Sequence, residues 1–110
     1  MDSAKVDLLK SAMTAYVWRS KAIASNLANI DSPGYQRMTV SFEEEMSRAL
    51  HSHRERDLEI APELKTEDGP PLLEDELMEL ADTQMRTQMA TRALRDHFAM
   101  VRMSISGRTG

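Results

Sequence analysis

The sequence predicts an all-α fold: two long terminal helices pairing as a coiled-coil-like hairpin, with a short third helix and an irregular middle segment between them. Three observations carry this expectation. Apolar residues recur at alternating steps of three and four over both ends of the 110-residue chain, the spacing that lines one helix face and seats it against another helix. The breakers Pro33, Gly34, Pro62, Gly69, Pro70 and Pro71 all fall between those two periodic runs. Composition agrees: aromatics are 5%, charged residues 29%, and the 41% hydrophobic fraction includes nine Met, which pack adaptably and specify a unique core poorly. A chain of this length makes one domain with a modest core.

The first segment, residues 1–35, is expected to hold a helix from about Ser3 to Asn29. Its apolar marks are Val6, Leu9, Met13, Tyr16, Ile23, Leu27 and Ile30, with Ser20 as the polar member of the series. No Gly or Pro interrupts it, and at 1.5 Å per residue it would run roughly 40 Å. Ala22, Ala24 and Ala28 leave room for another backbone near its end. Leu8, Val17 and Trp18 fall off the seam, so the apolar width exceeds what one partner covers. Trp18 is expected to be buried between subunits of an assembly, because large aromatics carry much of the energy of interfaces; packing against the chain's own middle is the plainer alternative. The helix stops at Asp31-Ser32-Pro33-Gly34-Tyr35. Pro fixes φ at the second turn position and Gly supplies the positive φ of the third, which predicts a type II turn. Asn is a poor interior helix residue because its side chain competes for backbone bonds. Asn26 and Asn29 are therefore expected to bond the exposed carbonyls and the turn, holding the exit angle; a plain surface cap is the alternative.

The variable middle covers residues 36–72. Gln36 to Val40 suits a short extended piece. Ser41-Phe42-Glu43-Glu44 fits a capping box, Ser41 capping and Glu44 reaching back, and Phe42, Met46, Ala49 and Leu50 share one face, which predicts a short helix over 42–51. No period holds from Ser52 to Leu72, a stretch longer than the usual loop; a brief strand or hairpin over Arg56–Leu64 is the regular element it suggests. The last segment, 73–110, repeats the helical signal. Its seam reads Leu73, Leu77, Leu80, Gln84, Thr87, Thr91, Leu94, Phe98, Val101 and Ile105, and a second stripe of Met78, Ala81, Met85 and Met89 widens the apolar face where the seam turns polar. Glu74, Asp75, Glu76 and Glu79 open this helix and Arg92, Arg95 and Arg102 close it, which suits the macrodipole. Gly107 and Gly110 mark a frayed end. The two seams are expected to face each other as an antiparallel pair.

The same residues exclude several chemistries. The chain has no Cys, so disulfides, thiolate metal sites and cysteine nucleophiles are out. A net charge of −4 argues against general nucleic-acid binding, which needs a basic face. No stretch approaches the ~20 apolar residues of a membrane span. The N-terminus lacks the basic-then-apolar order of a cleaved signal, so any departure from the cytoplasm is expected by another route. His51 and His53 diverge on a helix with no third ligand near them, and read as a solvated loop rather than a metal site. Capping and a solvated first turn explain Glu43-Glu44-Glu45 better than paired catalytic acids do. No Gly-rich phosphate loop is present and nothing orients a Ser–His–Asp triad. No cofactor, no metal and no enzymatic activity are expected.

The stretch Ser25-Asn26-Leu27-Ala28-Asn29-Ile30-Asp31-Ser32-Pro33-Gly34-Tyr35 resembles the signature of the flagellar axial family of rod, hook and hook-associated proteins. That signature reads roughly Asn-hydrophobic-Ala-Asn-x-x-Thr-Pro-Gly-Tyr, and it is met at Asn26, Leu27, Ala28, Asn29, Pro33, Gly34 and Tyr35, with Ser32 in place of Thr. It also stands where the family has it, at the end of an N-terminal heptad helix. Length sets aside the members with large inserted domains. Glu76-Leu77-Met78-Glu79-Leu80-Ala81, Leu94, His97 to Arg102 and Ser106-Gly107-Arg108 resemble the ending of the short proximal-rod branch of FlgB type, as does the helix after the Pro-Gly-Tyr turn. The FlgC type is the nearest alternative. The chain departs from the FlgB pattern at Thr83, where Asn is usual, at Thr87, where an aromatic is usual, and near Leu73, where a capping Asp is missing.

The resemblance implies a structural subunit of the proximal rod that polymerises through its terminal helices and transmits torque. Val6, Leu9, Met13, Tyr16, Trp18, Ile23, Leu77, Leu80, Leu94, Phe98, Val101 and Ile105 would be its assembly residues. It implies a place in the basal body within the periplasmic space, and export through the flagellar type III apparatus without a cleaved signal. Its partners would be copies of itself, other rod proteins, the adaptor FliE and the MS-ring protein. A soluble helical adaptor or export chaperone is the alternative from another class.

Overall fold

The computed structural model describes residues 3–52 and 61–106. Helix α1 runs Ser3–Ala28, strand β1 Met38–Ser41, helix α2 Glu43–Ser52, strand β2 Glu63–Thr66 and helix α3 Leu73–Ile105. The two long helices are antiparallel neighbours. Asn26 near the end of α1 bonds Glu76 in the first turn of α3, while Ala12, Ala15 and Tyr16 pack with Ala90 farther along. The molecule is a slat of 62 × 28 × 14 Å with a radius of gyration of 17.4 Å, against about 13 Å for a compact domain of this length. At about 1.5 Å per residue α1 spans about 39 Å and α3 about 50 Å. Helix α3 therefore outruns its partner, and residues 100–106 are exposed throughout.

Helical pairing is as the sequence predicts, but the faces are turned. The buried line of α1 is Leu8, Ala12, Ala15, Ala22 and Asn26, flanked by Val6, Tyr16 and Ile23; that of α3 is Glu76, Thr83, Ala90 and Leu94. Both lines keep heptad spacing, with the half-buried Arg19, Leu80 and Thr87 filling the steps between, and most of their members lie one residue earlier than the expected seams. Size accounts for much of the turn: Ala12, Ala15, Ala22, Thr83 and Ala90 fill most of these lines, with Leu8, Asn26, Glu76 and Leu94 among them. Leu73, Leu77, Met78, Met85, Met89 and Phe98 stay exposed on the paired stretch, and Val101 and Ile105 on the overhang.

The middle is less irregular than expected. Strands β1 and β2 form an antiparallel ribbon in which Met38 faces Thr66 and Ser41 faces Glu63. Of the stretch 56–64 expected as a strand, residues 56–60 lie outside the described residues, as do Gly107 and Gly110 and the side chains of Ala49 and Leu50. Ser41 belongs to β1 and α2 starts at Glu43, so Phe42 stands at the cap position and Glu43, not Glu44, is the carboxylate held in place. Phe42 is fully buried. Its ring meets Tyr16 edge-on at 5.3 Å between centroids and lies 5.1 Å below the Arg19 guanidinium. This aromatic–cation stack joins α2 to the Ala12–Ala15–Ala90 core, with Leu9, Met13 and Met46 packed around it.

Candidate functional site

The end of α1 builds the first part of the site. Asn29 closes the helix with both its groups: its backbone N–H and its Nδ2 each donate to the Ser25 carbonyl, at 3.1 and 2.9 Å. Ser32 Oγ donates to Asn29 Oδ1 at 3.0 Å. The Tyr35 N–H then donates to the Ser32 carbonyl at 3.2 Å, around Pro33 and a Gly34 with φ of 76°, which is the type II turn that Pro-Gly predicts. The turn sends Tyr35 back to α1, where its hydroxyl lies 2.8 Å from Ser25 Oγ and donates to Asn26 Oδ1 at 3.0 Å.

Asn26, 0% exposed, is the centre of the network. Its Oδ1 accepts from the Met38 N–H at 2.8 Å, and its Nδ2 donates to the Met38 carbonyl at 2.8 Å and to Glu76 Oε2 at 3.1 Å. Glu76 is equally buried and pairs with Arg37 Nε, while Arg37 Nη1 reaches Glu67 Oε1 at 2.6 Å. The Arg37 backbone adds bonds to Gly69 and Glu67. One buried cluster therefore fixes α1, the turn, β1, the exit of β2 and the start of α3 relative to one another. A buried charge pair of this kind persists when its remaining valences are bonded, and Asn26 supplies that bond to Glu76.

Arg19 makes a second tie two helical turns earlier. Its guanidinium holds Glu43 through two bonds of 2.7 and 2.8 Å and donates to the Val40 carbonyl at 2.7 Å. Strand β1 thus pairs with β2 on one edge, and on the other its Met38 and Val40 groups are bonded by side chains of α1. The Glu43 hydrogen bonds hold the Arg19 guanidinium above its ordinary pKa despite burial. Burial pushes the Glu43 carboxyl up, but the bonds and charge of Arg19 outweigh it and hold the group below the usual range. Burial likewise opposes the Arg37 charge, and the bonds to Glu76 and Glu67 outweigh it.

The second part of the site is the uncovered surface. Of the residues expected to serve assembly, Val6, Tyr16, Ile23 and Leu94 are buried, and Leu9, Met13 and Leu80 are half-buried. Trp18, Leu77, Phe98, Val101 and Ile105 are exposed, Trp18 at 43% and Ile105 at 79%. Of the turn motif, Ala28, Ser32, Pro33 and Gly34 are exposed, and Leu27, Asn29 and Tyr35 half-buried. A groove of about 680 Å³ opens between α1, α2 and α3, lined chiefly by Leu8, Leu9, Tyr16, Met46, Met85 and Met89. Sequence reasoning passed over Arg19, Arg37, Glu43 and Glu76 as site residues. The available signal was that Arg19 and Glu76 stand at heptad spacing from Ala12, Ala22 and Asn26 and from Thr83 and Ala90, where a solvated charge is out of place. His51 spends its Nδ1 on the Ser47 carbonyl of its own helix at 2.7 Å, and His53 lies outside the described residues. Among the described residues no group of three His, Asp or Glu is placed to hold a metal ion, and no helix is long and apolar enough to cross a membrane.

Comparison with known proteins falls on the same part of the chain. Residues 8–36, most of α1 and the whole turn, match the family described as flagella basal body rod protein. The flagellar basal body rod protein FlgB of Borrelia hermsii is 36% identical over 55 residues, which make up 50% of this chain and 41% of that relative. The match thus spans about two fifths of the relative's length.

Proposed function

We propose that this chain, whose residues 8–36 match the flagella basal body rod family, is a FlgB-type subunit of the proximal rod that polymerises through its long terminal helices. That family is structural, and the chain is not an enzyme. The observation that carries the reading is the uncovered apolar surface: Leu73, Leu77, Met78, Met85, Met89, Phe98, Val101 and Ile105 on α3, with Val17 and Trp18 on α1, stay exposed after the two helices have paired. Large apolar side chains left uncovered along both helices suit an interaction site, and other helices are the partners that fit them. The buried Asn26–Glu76–Arg37 cluster supports the same reading, because it fixes the axial register of the two helices and so gives every subunit the same shape. Packed around an axis, such slats form a stiff tube that passes torque from one end to the other.

The subunit would sit in the periplasmic part of the basal body, reached through the flagellar type III export apparatus. Its neighbours would be copies of itself, other rod proteins, the adaptor FliE and the MS-ring protein. Deleting the gene and imaging isolated basal bodies tests the proposal. Rings without a rod, restored by the intact chain, are expected; complete rods in the deletion strain overturn it.

A further inference from the structure

The β ribbon is sealed along one edge and open along the other. On β1 the Asn26 amide takes both the N–H and the carbonyl of Met38, and Arg19 takes the carbonyl of Val40. Met38 and Val40 therefore turn their backbone groups toward α1, away from β2. In an antiparallel pair, facing residues either bond each other or both turn their groups outward. Met38 faces Thr66 and Val40 faces Leu64, so the N–H and carbonyl of Leu64 and Thr66 point away from β1. All four residues of β2 are exposed, and among the described residues no backbone bond from a turn or loop ends on Leu64 or Thr66. An open edge of this kind is a template for another strand, and a two-stranded ribbon, marginal in water, gains from further strands.

The side chains of this edge decide which strand fits it. Glu63 and Lys65 flank Leu64 and form no ion pair among the described residues. Set antiparallel on a second copy with Leu64 opposite Leu64, β2 places Glu63 opposite Lys65 of that copy and Lys65 opposite its Glu63. The backbone agrees with this register: the two Leu64 residues exchange both their bonds, and each Thr66 N–H meets the carbonyl of Pro62, which has no N–H to leave unpaired. A shift of two residues puts Glu63 on Glu63 or Lys65 on Lys65, and a shift of one sets outward groups against inward ones. We propose that the open edge of β2 joins the same edge of a second copy about a two-fold axis through Leu64, giving a continuous sheet in the order β1-β2-β2-β1. The contact is isologous and closes at two copies. A two-fold contact between neighbours has no place in a tube whose subunits all point one way, so this pair is a form of the free chain that opens before the chain joins a rod. It goes beyond the rod reading and stands or falls independently of it.

The chain has no Cys, so single cysteines report the contact. Facing residues of a hydrogen-bonded antiparallel pair stand about 5.5 Å apart at Cα, inside the disulfide range of about 4.4–6.8 Å. In the soluble full chain, at a concentration where circular dichroism shows helix, Leu64→Cys is expected to form a disulfide-linked dimer about tenfold faster than Leu72→Cys, although Leu72 is the more exposed of the two. Equal rates overturn the proposal. Sedimentation velocity follows the dimer without a cross-link. The variants E63K and K65E, both at exposed positions, are each expected to lower its association constant about tenfold, because like charges then face each other twice. Their equimolar mixture is expected to restore it, since one strand is then all basic and the other all acidic at these positions. Either variant dimerising alone as the unmodified chain does also overturns the proposal. If a charge variant loses its helix, the comparison of the two cysteine variants decides.

Discussion

The Asn26 amide takes the place of a neighbouring strand. Its oxygen accepts the Met38 N–H and its nitrogen donates to the Met38 carbonyl, as a peptide of an adjoining strand would, and it still reaches Tyr35 and Glu76. A hydrogen bond contributes about 0.5–1.5 kcal/mol net, but a buried group stripped of its partner costs about 1–3 kcal/mol. Asn26→Ala strands the Met38 peptide and removes a donor from the buried Glu76 carboxylate. It is therefore expected to cost about 2–4 kcal/mol in urea unfolding, and a loss below about 1 kcal/mol contradicts the role assigned here. Thr83 is the converse case. Its hydroxyl is buried and has no hydrogen-bond partner among the described residues, while its carbonyl accepts from Thr87 Oγ1 at 2.8 Å. Thr83→Val removes a desolvated hydroxyl and keeps the shape, so a change between zero and a gain of about 1 kcal/mol is expected in the same measurement.

Between elements, the Arg19–Glu43 pair ties α1 to the junction of β1 and α2, and it has a pH dependence of definite sign. The folded pKa of Glu43 lies below its ordinary value. Its contribution is therefore complete above the unfolded value of about 4.3 and is lost as pH falls through the lower folded value. Glu43→Gln is expected to lower the melting temperature at neutral pH, and the gap from the parent chain is expected to close below about pH 4; a gap that widens on acidification reverses the sign of the argument. The helices and the turn were legible in the sequence because a three–four period repeats many times over α1 and α3 and because Pro33-Gly34 admits few backbone geometries. The rotation of the buried faces was not, because Ala12, Ala15, Ala22 and Ala90 weigh little in any hydropathy count yet decide which faces fit together. Of the strands, β1 overlaps the extended piece expected over Gln36 to Val40, whereas β2, with Leu64 as its one apolar residue, carries too little pattern to be read. The polar cluster joins residues as far apart as Asn26 and Glu76, fifty positions along the chain, a distance no local pattern spans.

At the scale of the whole molecule, the shape itself limits stability. A slat 14 Å thick is about one helix deep, since a helix with its side chains measures about 10–12 Å across, so most residues keep one side toward water. Its core is a short cluster around Ala12, Ala15, Tyr16, Phe42 and Ala90, a small apolar burial to set against the conformational entropy of ordering the chain. Folding of this chain is therefore expected to be coupled to association, with low helicity and rapid proteolysis in dilute chain, both reversed as concentration rises. Trp18 is the one tryptophan and is 43% exposed, so its emission reports which contacts form. Burial of the long faces between neighbouring subunits is expected to shift its emission to shorter wavelength together with the gain in helicity. Trp18→Ala is then expected to weaken rod incorporation and to move the gain in helicity to higher chain concentration. A dilute monomer that unfolds cooperatively, resists protease and keeps the same Trp18 emission at every concentration is a self-sufficient fold, and it removes the physical reason for these helices to seek partners.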